Sequence, residues 1–239
     1  MALAISLSFR YSSIPAGLGL ALGLALTATA VADPVAQGKL IATQGADGIV
    51  ACATCHGAKG EGMAAAGFPY LAGQGAAYLA LQLKDFASGQ RDNPIMAPIA
   101  KAMNAGQMEA AAAYFASLPP AFDATALSKH QDSQPAKDDM GAWLANRGDW
   151  EHGIPACIQC HGPGGIGVGQ DFPALAGQSA NYLRAQMLAI KDGKRPPGPL
   201  DLMGDIASRM NEAQITAAAD YFATLPQHAT QGTNQGAQQ

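Results

Sequence analysis

Charged residues make up only 13% of this 239-residue chain, aromatic residues only 6%, and there are just four cysteines. Four thiols in a chain of this length are too few for a disulfide framework. A formal net charge of −4 with no stripe of Lys or Arg excludes a nucleic-acid surface. Low charge does not mean disorder here, because 49% of the residues are apolar. Long hydrophobic runs are missing as well. The run from Ala16 to Leu26 covers 11 residues, well short of the roughly 20 needed to span a bilayer. With Arg10 before it and Ala30-Val31-Ala32 after it, the run reads as the core of a signal peptide over residues 1–32, cleaved before Asp33. The expected product is an exported, mildly acidic, soluble protein.

The chain does contain a repeat. Cys52-Ala-Thr-Cys55-His56-Gly57 returns as Cys157-Ile-Gln-Cys160-His161-Gly162, and Phe68-Pro69-Tyr70-Leu71-Ala72-Gly73-Gln74 returns as Phe172-Pro173-Ala174-Leu175-Ala176-Gly177-Gln178. Tyr78, Leu79 and Gln82 recur as Tyr182, Leu183 and Gln186, and Tyr114-Phe115-Ala116-Ser117-Leu118-Pro119 recurs as Tyr221-Phe222-Ala223-Thr224-Leu225-Pro226. The blocks keep their order, so the chain carries a duplicated domain. The expected boundaries are 33–120 and 138–227, with a linker at 121–137 rich in Pro, Asp, Ser and Lys and a flexible tail at 228–239. Apolar spacing and caps predict helices over 34–43, 76–88 and 107–118, and again over 138–147, 180–191 and 213–225, with Pro119 and Pro226 as stops. No segment alternates like a strand, so the fold class is all-α.

C-x-x-C-H is the haem c attachment signature. Two thiols three positions apart can add to the two vinyl groups of one porphyrin, and the next residue, His, then lies under the iron as an axial ligand. Two zinc-ribbon pairs would stand about 15–20 residues apart, a thioredoxin-like pair would need a βαβ setting, and a disulfide across C-x-x-C would be strained. The sequence therefore predicts two covalent haem c groups, on Cys52 and Cys55 and on Cys157 and Cys160, with His56 and His161 as iron ligands. Methionine is the expected sixth ligand, because its thioether raises the potential. Met96 and Met203 recur in Pro-containing loops and are the expected pair. Met103 and Met210 also recur, but each stands just before the last helix, where a core role is expected. His152, before the second motif, is expected to be structural. Lys191, Lys194 and Arg195 form a basic cluster expected to be a solvated helix end.

In these residues and motifs the chain resembles the dihaem cytochromes c4, two fused class I cytochrome c domains. CxxCHG, FPxLAGQ, the YLxxQ helix, Ile95-Met96 and Leu202-Met203 before the last helix, and a closing YFAxLP carry the likeness over nearly all of residues 33–239. The resemblance implies two tandem all-α domains whose first and last helices cross at Gly38 with Tyr114 and Phe115, and at Gly141 with Tyr221 and Phe222. It implies that Pro69 and Pro173 accept hydrogen bonds from the two axial histidines, and that the haem propionate edges face the domain junction. It also implies a periplasmic shuttle of single electrons, with no catalysis of its own. The donor would be a quinol-oxidising complex or dehydrogenase and the acceptor a terminal oxidase or reductase, with peripheral membrane association compatible with that role. The alternatives are a dihaem cytochrome subunit of a sulfide or alcohol dehydrogenase complex, and a dihaem enzyme such as a thiosulfate dehydrogenase.

Overall fold

Every regular element among the described residues is helical, and the strand-like pairings are isolated bridges that close loops, as between Met63 and Phe68 and between Val168 and Phe172. The structure is a computed structural model that describes residues 33–129 and 135–235, with backbone only from residue 228 onward. The expected signal peptide, His130 and the last four residues lie outside the described residues. The described residues form one compact unit.

Helix α1 (Pro34–Gln44) starts with Pro34, whose missing N–H costs nothing at this position, behind Asp33, whose carboxylate accepts from the Val35 N–H at 3.0 Å. Next come α2 (Ala53–His56), α3 (Ala76–Ser88), α4 (Met96–Ala102) and α5 (Ala105–Ser117). Asn104 and Gln107 form a reciprocal capping box at the start of α5. After α6 (Ala124–Lys129), the second half repeats the order as α7 (Met140–Asn146), α8 (Ile158–His161), α9 (Ala180–Lys191), α10 (Leu202–Arg209) and α11 (Glu212–Gln235). Asn211 and Gln214 repeat the capping exchange on α11.

The first and last helices of each half cross at a glycine. A Cβ on Gly38 would run into the Ala110 carbonyl and the Tyr114 side chain, and one on Gly141 into the Ala217 carbonyl and the Tyr221 side chain. Close helix approach therefore depends on these two residues lacking a side chain.

The structure corrects three expectations. The linker at 121–137 contains α6, and Leu127 on that helix is only 1% exposed, packed against Phe222 and Leu225 of the second half. One buried leucine gives no periodicity to read, so its burial is a tertiary effect. Pro226 does not stop the last helix, because α11 continues through it to Gln235 and includes the first residues of the expected flexible tail. Proline removes the N–H that would bond to the Phe222 carbonyl, and the Gly177 N–H takes that carbonyl instead at 2.8 Å. The first half uses the same arrangement, with the Gly73 N–H on the Phe115 carbonyl at 2.9 Å, but there the helix ends before Pro119. The third correction is that Met96 and Met203 stand on short helices, α4 and α10, rather than in irregular loops.

Candidate haem sites and the junction between the halves

Each C-x-x-C-H sequence forms a single helical turn, α2 or α8, that ends on a glycine at positive φ, Gly57 at 82° and Gly162 at 77°. The chain then loops back, and the Gly62 N–H holds the His56 carbonyl at 2.7 Å while Gly167 holds that of His161 at 2.8 Å. This brings Phe-Pro-x-Leu-Ala-Gly-Gln alongside the histidine. The Nδ1 of His56 lies 2.8 Å from the Pro69 carbonyl oxygen, and that of His161 lies 2.7 Å from the Pro173 oxygen. A carbonyl can only accept, so Nδ1 carries the hydrogen and Nε2 keeps its lone pair. Burial pushes both imidazoles below their ordinary range, against the opposing pull of the proline carbonyl. They are held neutral, the form that ligates a metal.

Burial also pushes the Cys157 thiol up to about 11 and raises that of Cys52. Neither is a ready thiolate of the kind that redox-active C-x-x-C pairs use.

A cavity of about 1290 Å³ runs through both halves, from Cys52, Cys55 and His56 to Cys157, Cys160 and His161. All four repeated methionines border it. Met96 and Met203 are half-buried, at the first turn of α4 and α10. Met103 is buried among Ile41, Ile49 and Met108, and Met210 among Leu144, Ile154 and Ile215. His152 is exposed, bonded to Asp149 at 2.8 Å, and does not line the cavity.

Between the two motifs lies a reciprocal polar junction. Arg91 donates to Gln82 Oε1 in its own half at 2.7 Å, and across the junction to Tyr182 Oη at 3.0 Å and Gln186 Oε1 at 2.6 Å. Arg195 donates to Gln186 Oε1 in its own half at 3.1 Å, and across to Tyr78 Oη at 3.2 Å and Gln82 Oε1 at 3.0 Å. Arg91 also stacks over Phe86, 4.4 Å from the ring centroid. The nearby carboxylate is Asp85, raised by burial and pulled back down by both guanidiniums. Two guanidiniums, that of Arg91 buried and that of Arg195 half-buried, thus act on one carboxylate, and Arg195 Nε is buried with no partner among the described residues.

This setting fits two haem groups. The apolar cavity takes the porphyrins, the cysteines and histidines stand at its two ends, and the surplus positive charge with its unpaired Nε suits carboxylate edges.

The arginine pair is absent from the expectations above. Arg91 and Arg195 recur at the same spacing as Gln82 and Gln186, and that spacing is the signal that could have found them. The basic cluster is also corrected. Arg195 is half-buried in the junction, and Lys191 bonds the end of a different helix, α10.

The cytochrome c family profile matches residues 35–119 and 154–226. The chain is 51% identical over 197 residues to the thiosulfate dehydrogenase electron acceptor of Stutzerimonas stutzeri strain A1501, covering 82% of this chain and 89% of that protein. It is 33% identical over 176 residues to cytochrome c4 of Pseudomonas aeruginosa, covering 73% and 83% respectively. Among solved structures, thiosulfate dehydrogenase TsdBA of Marichromatium purpuratum aligns with a TM-score of 0.70 and 43% identity over 80% of this chain, which spans 40% of that longer protein. Reduced cytochrome c4 of Pseudomonas stutzeri aligns with a TM-score of 0.63 and 28% identity, covering 80% of this chain and 97% of that one.

Proposed function

We propose that this chain, which belongs to the cytochrome c family as a dihaem, cytochrome c4-like protein, is a periplasmic one-electron carrier that accepts electrons from a thiosulfate-oxidising dehydrogenase and passes them to a respiratory acceptor. The 51% identity to a thiosulfate dehydrogenase electron acceptor, against 33% to cytochrome c4, favours that donor over a quinol-oxidising complex. Each bound haem supplies a one-electron Fe(III)/Fe(II) couple. Cys52 and Cys55, and Cys157 and Cys160, hold the two groups covalently in domains spanning 33–120 and 138–227.

In this reading His56 and His161 present Nε2 to the irons, Pro69 and Pro173 fix the ring tautomers, and Met96 and Met203 supply the sixth ligands. The observation that carries the carrier reading is the matched set in the two halves: a buried, neutral histidine tied to a proline carbonyl, with a half-buried methionine on a short helix lining the same cavity. An iron with two protein ligands passes electrons and leaves no position for a substrate. Arg91 and Arg195 bond across the junction and would pair with carboxylate edges of the bound groups.

The test mixes the oxidised protein with thiosulfate, with and without a thiosulfate dehydrogenase, and follows the haem bands. Reduction of both haems only when the dehydrogenase is present is the expected result. Reduction by thiosulfate alone would make the chain an enzyme, and no reduction in either case would remove this donor. A second reading, a tightly held cytochrome subunit, draws on the alignment with part of the longer TsdBA chain. Co-elution with the dehydrogenase through gel filtration would favour it.

A further inference from the structure

The two methionine-bearing helices are held by different devices. Three residues before Met96 stands Asn93, whose Oδ1 accepts from the Ile95 N–H at 3.0 Å and the Met96 N–H at 2.9 Å. Two donors at the start of α4 are thereby satisfied and its entry is fixed. Three residues before Met203 stands Leu200, which has no polar group to offer. Leu200 is 88% exposed at φ 63°, and Asp201 follows at φ 56°, a left-handed backbone that non-glycine residues disfavour. The Asp201 side chain makes no capping bond to α10. Helix α10 therefore starts uncapped, out of a strained turn.

Its other end is tied down. Lys191, the last residue of α9, donates from Nζ to the carbonyls of Ala207 at 3.3 Å, Ser208 at 3.0 Å and Met210 at 2.8 Å. An ammonium has three donors, and here all three are used on carbonyls that the end of a helix leaves without partners. The cation also complements the negative end of the α10 dipole. At the matching position the first half has Ala87, which has no donor. Lysine anchoring at the end of the helix thus stands where the first half uses an asparagine cap at the start.

We infer that Lys191 is a positioning residue for Met203, holding α10 so that the thioether stays directed at the second iron. The inference rests on Met203 as the sixth ligand proposed above. Lys191 acts through the helix and touches neither the iron nor its ligands.

The test uses the haem-loaded full chain and compares Lys191→Ala, Lys191→Arg and Met203→Ala. The readouts are haem per chain, the far-red charge-transfer band of Met-ligated Fe(III), and the rate of cyanide binding. Lys191→Ala is expected to keep two haems per chain, weaken the band, and speed cyanide binding at one haem by roughly tenfold, the effect of losing a charge-assisted hydrogen-bond cluster. Lys191→Arg, which restores a cationic donor, is expected to recover most of the band. Should Lys191→Ala lose haem, Lys191→Gln, which keeps a shorter neutral donor, undergoes the same comparison. Wild-type band and cyanide rate in the Lys191 variants, while Met203→Ala loses half the band, would overturn the inference and leave the ligand assignment standing. A full band in Met203→Ala would overturn the ligand assignment and the inference with it.

Discussion

Gln74 binds Ala174 through both of that residue's backbone groups, donating from Nε2 to its carbonyl at 3.0 Å and accepting its N–H on Oε1 at 2.9 Å. Gln178 returns the contact on Tyr70, donating to its carbonyl at 3.2 Å and accepting its N–H at 3.3 Å. Both glutamines are buried, and each closes the last position of a Leu-Ala-Gly-Gln block. A side-chain amide can imitate a backbone pairing in this way because it carries a donor and an acceptor side by side.

Gln74→Ala leaves the buried Ala174 N–H without its partner and its carbonyl with only the Tyr70 hydroxyl, at 3.2 Å, which costs about 1–3 kcal/mol. The expected outcome is a lower midpoint in chemical denaturation, with the two halves unfolding in separable steps. A single transition at the wild-type midpoint would show that the clasp adds nothing to the joining of the halves.

Removing the charge of Arg91 acts on both haems. A fixed cation beside the cavity favours Fe(II), so Arg91→Gln is expected to lower both midpoint potentials. The shift is on the order of tenfold in the Fe(II)/Fe(III) ratio, or about 59 mV for a one-electron couple. Potentiometric titration followed by optical spectra measures it. Unchanged potentials would place the guanidinium in a purely structural role.

Asp149 caps the 3-10 turn at Trp150–His152 and bonds His152 Nδ1 at 2.8 Å and Gln214 Nε2 at 3.0 Å. Desolvation acts to raise its carboxyl, but the His152 and Gln214 bonds outweigh this and hold it below the usual carboxylate range. A carboxyl depressed in the folded state adds stability above its unfolded pKa, about 3.9 for Asp. That stability is lost as the pH falls through the lower folded value. Asp149→Asn is therefore expected to be less stable than wild type at pH 6 and to converge with it toward pH 2, as read by thermal unfolding across that range. A stability difference that stays constant with pH would rule out this titration.

How much of this was legible in the sequence depended on whether a local rule or a distant contact decides each element. Helix α3 and helix α9 fall at the boundaries that apolar spacing predicts, because Gly75 and Gly89 flank one and Ser179 and Asp192 flank the other. The histidine tied to a proline carbonyl was readable through the family resemblance, while the single helical turns α2 and α8 were not expected from the sequence. Helix α4 escaped because it is seven residues long with Pro98 in its first turn, where proline is tolerated but reads as a loop. Helix α6 escaped because only the core of the second half explains Leu127. Arg91 and Arg195 were visible as a repeat, but arginines are mostly exposed, and nothing local in the sequence says that these two meet Tyr78 and Tyr182 across a junction.

The junction's reciprocity also limits what can be built from this domain. Gln74 reaches the 174 backbone as Gln178 reaches that of residue 70, and Arg91 and Arg195 exchange partners in the same way. Each half offers the same patch to the other, which makes the contact isologous, and an isologous contact is used up once two copies have met. Head-to-tail stacking, by contrast, would leave a free face at each end and could grow into a wire of haems. A third cytochrome domain, whatever its origin, would have to dock through other residues, and electrons would enter or leave the pair by a surface distinct from the one that joins it.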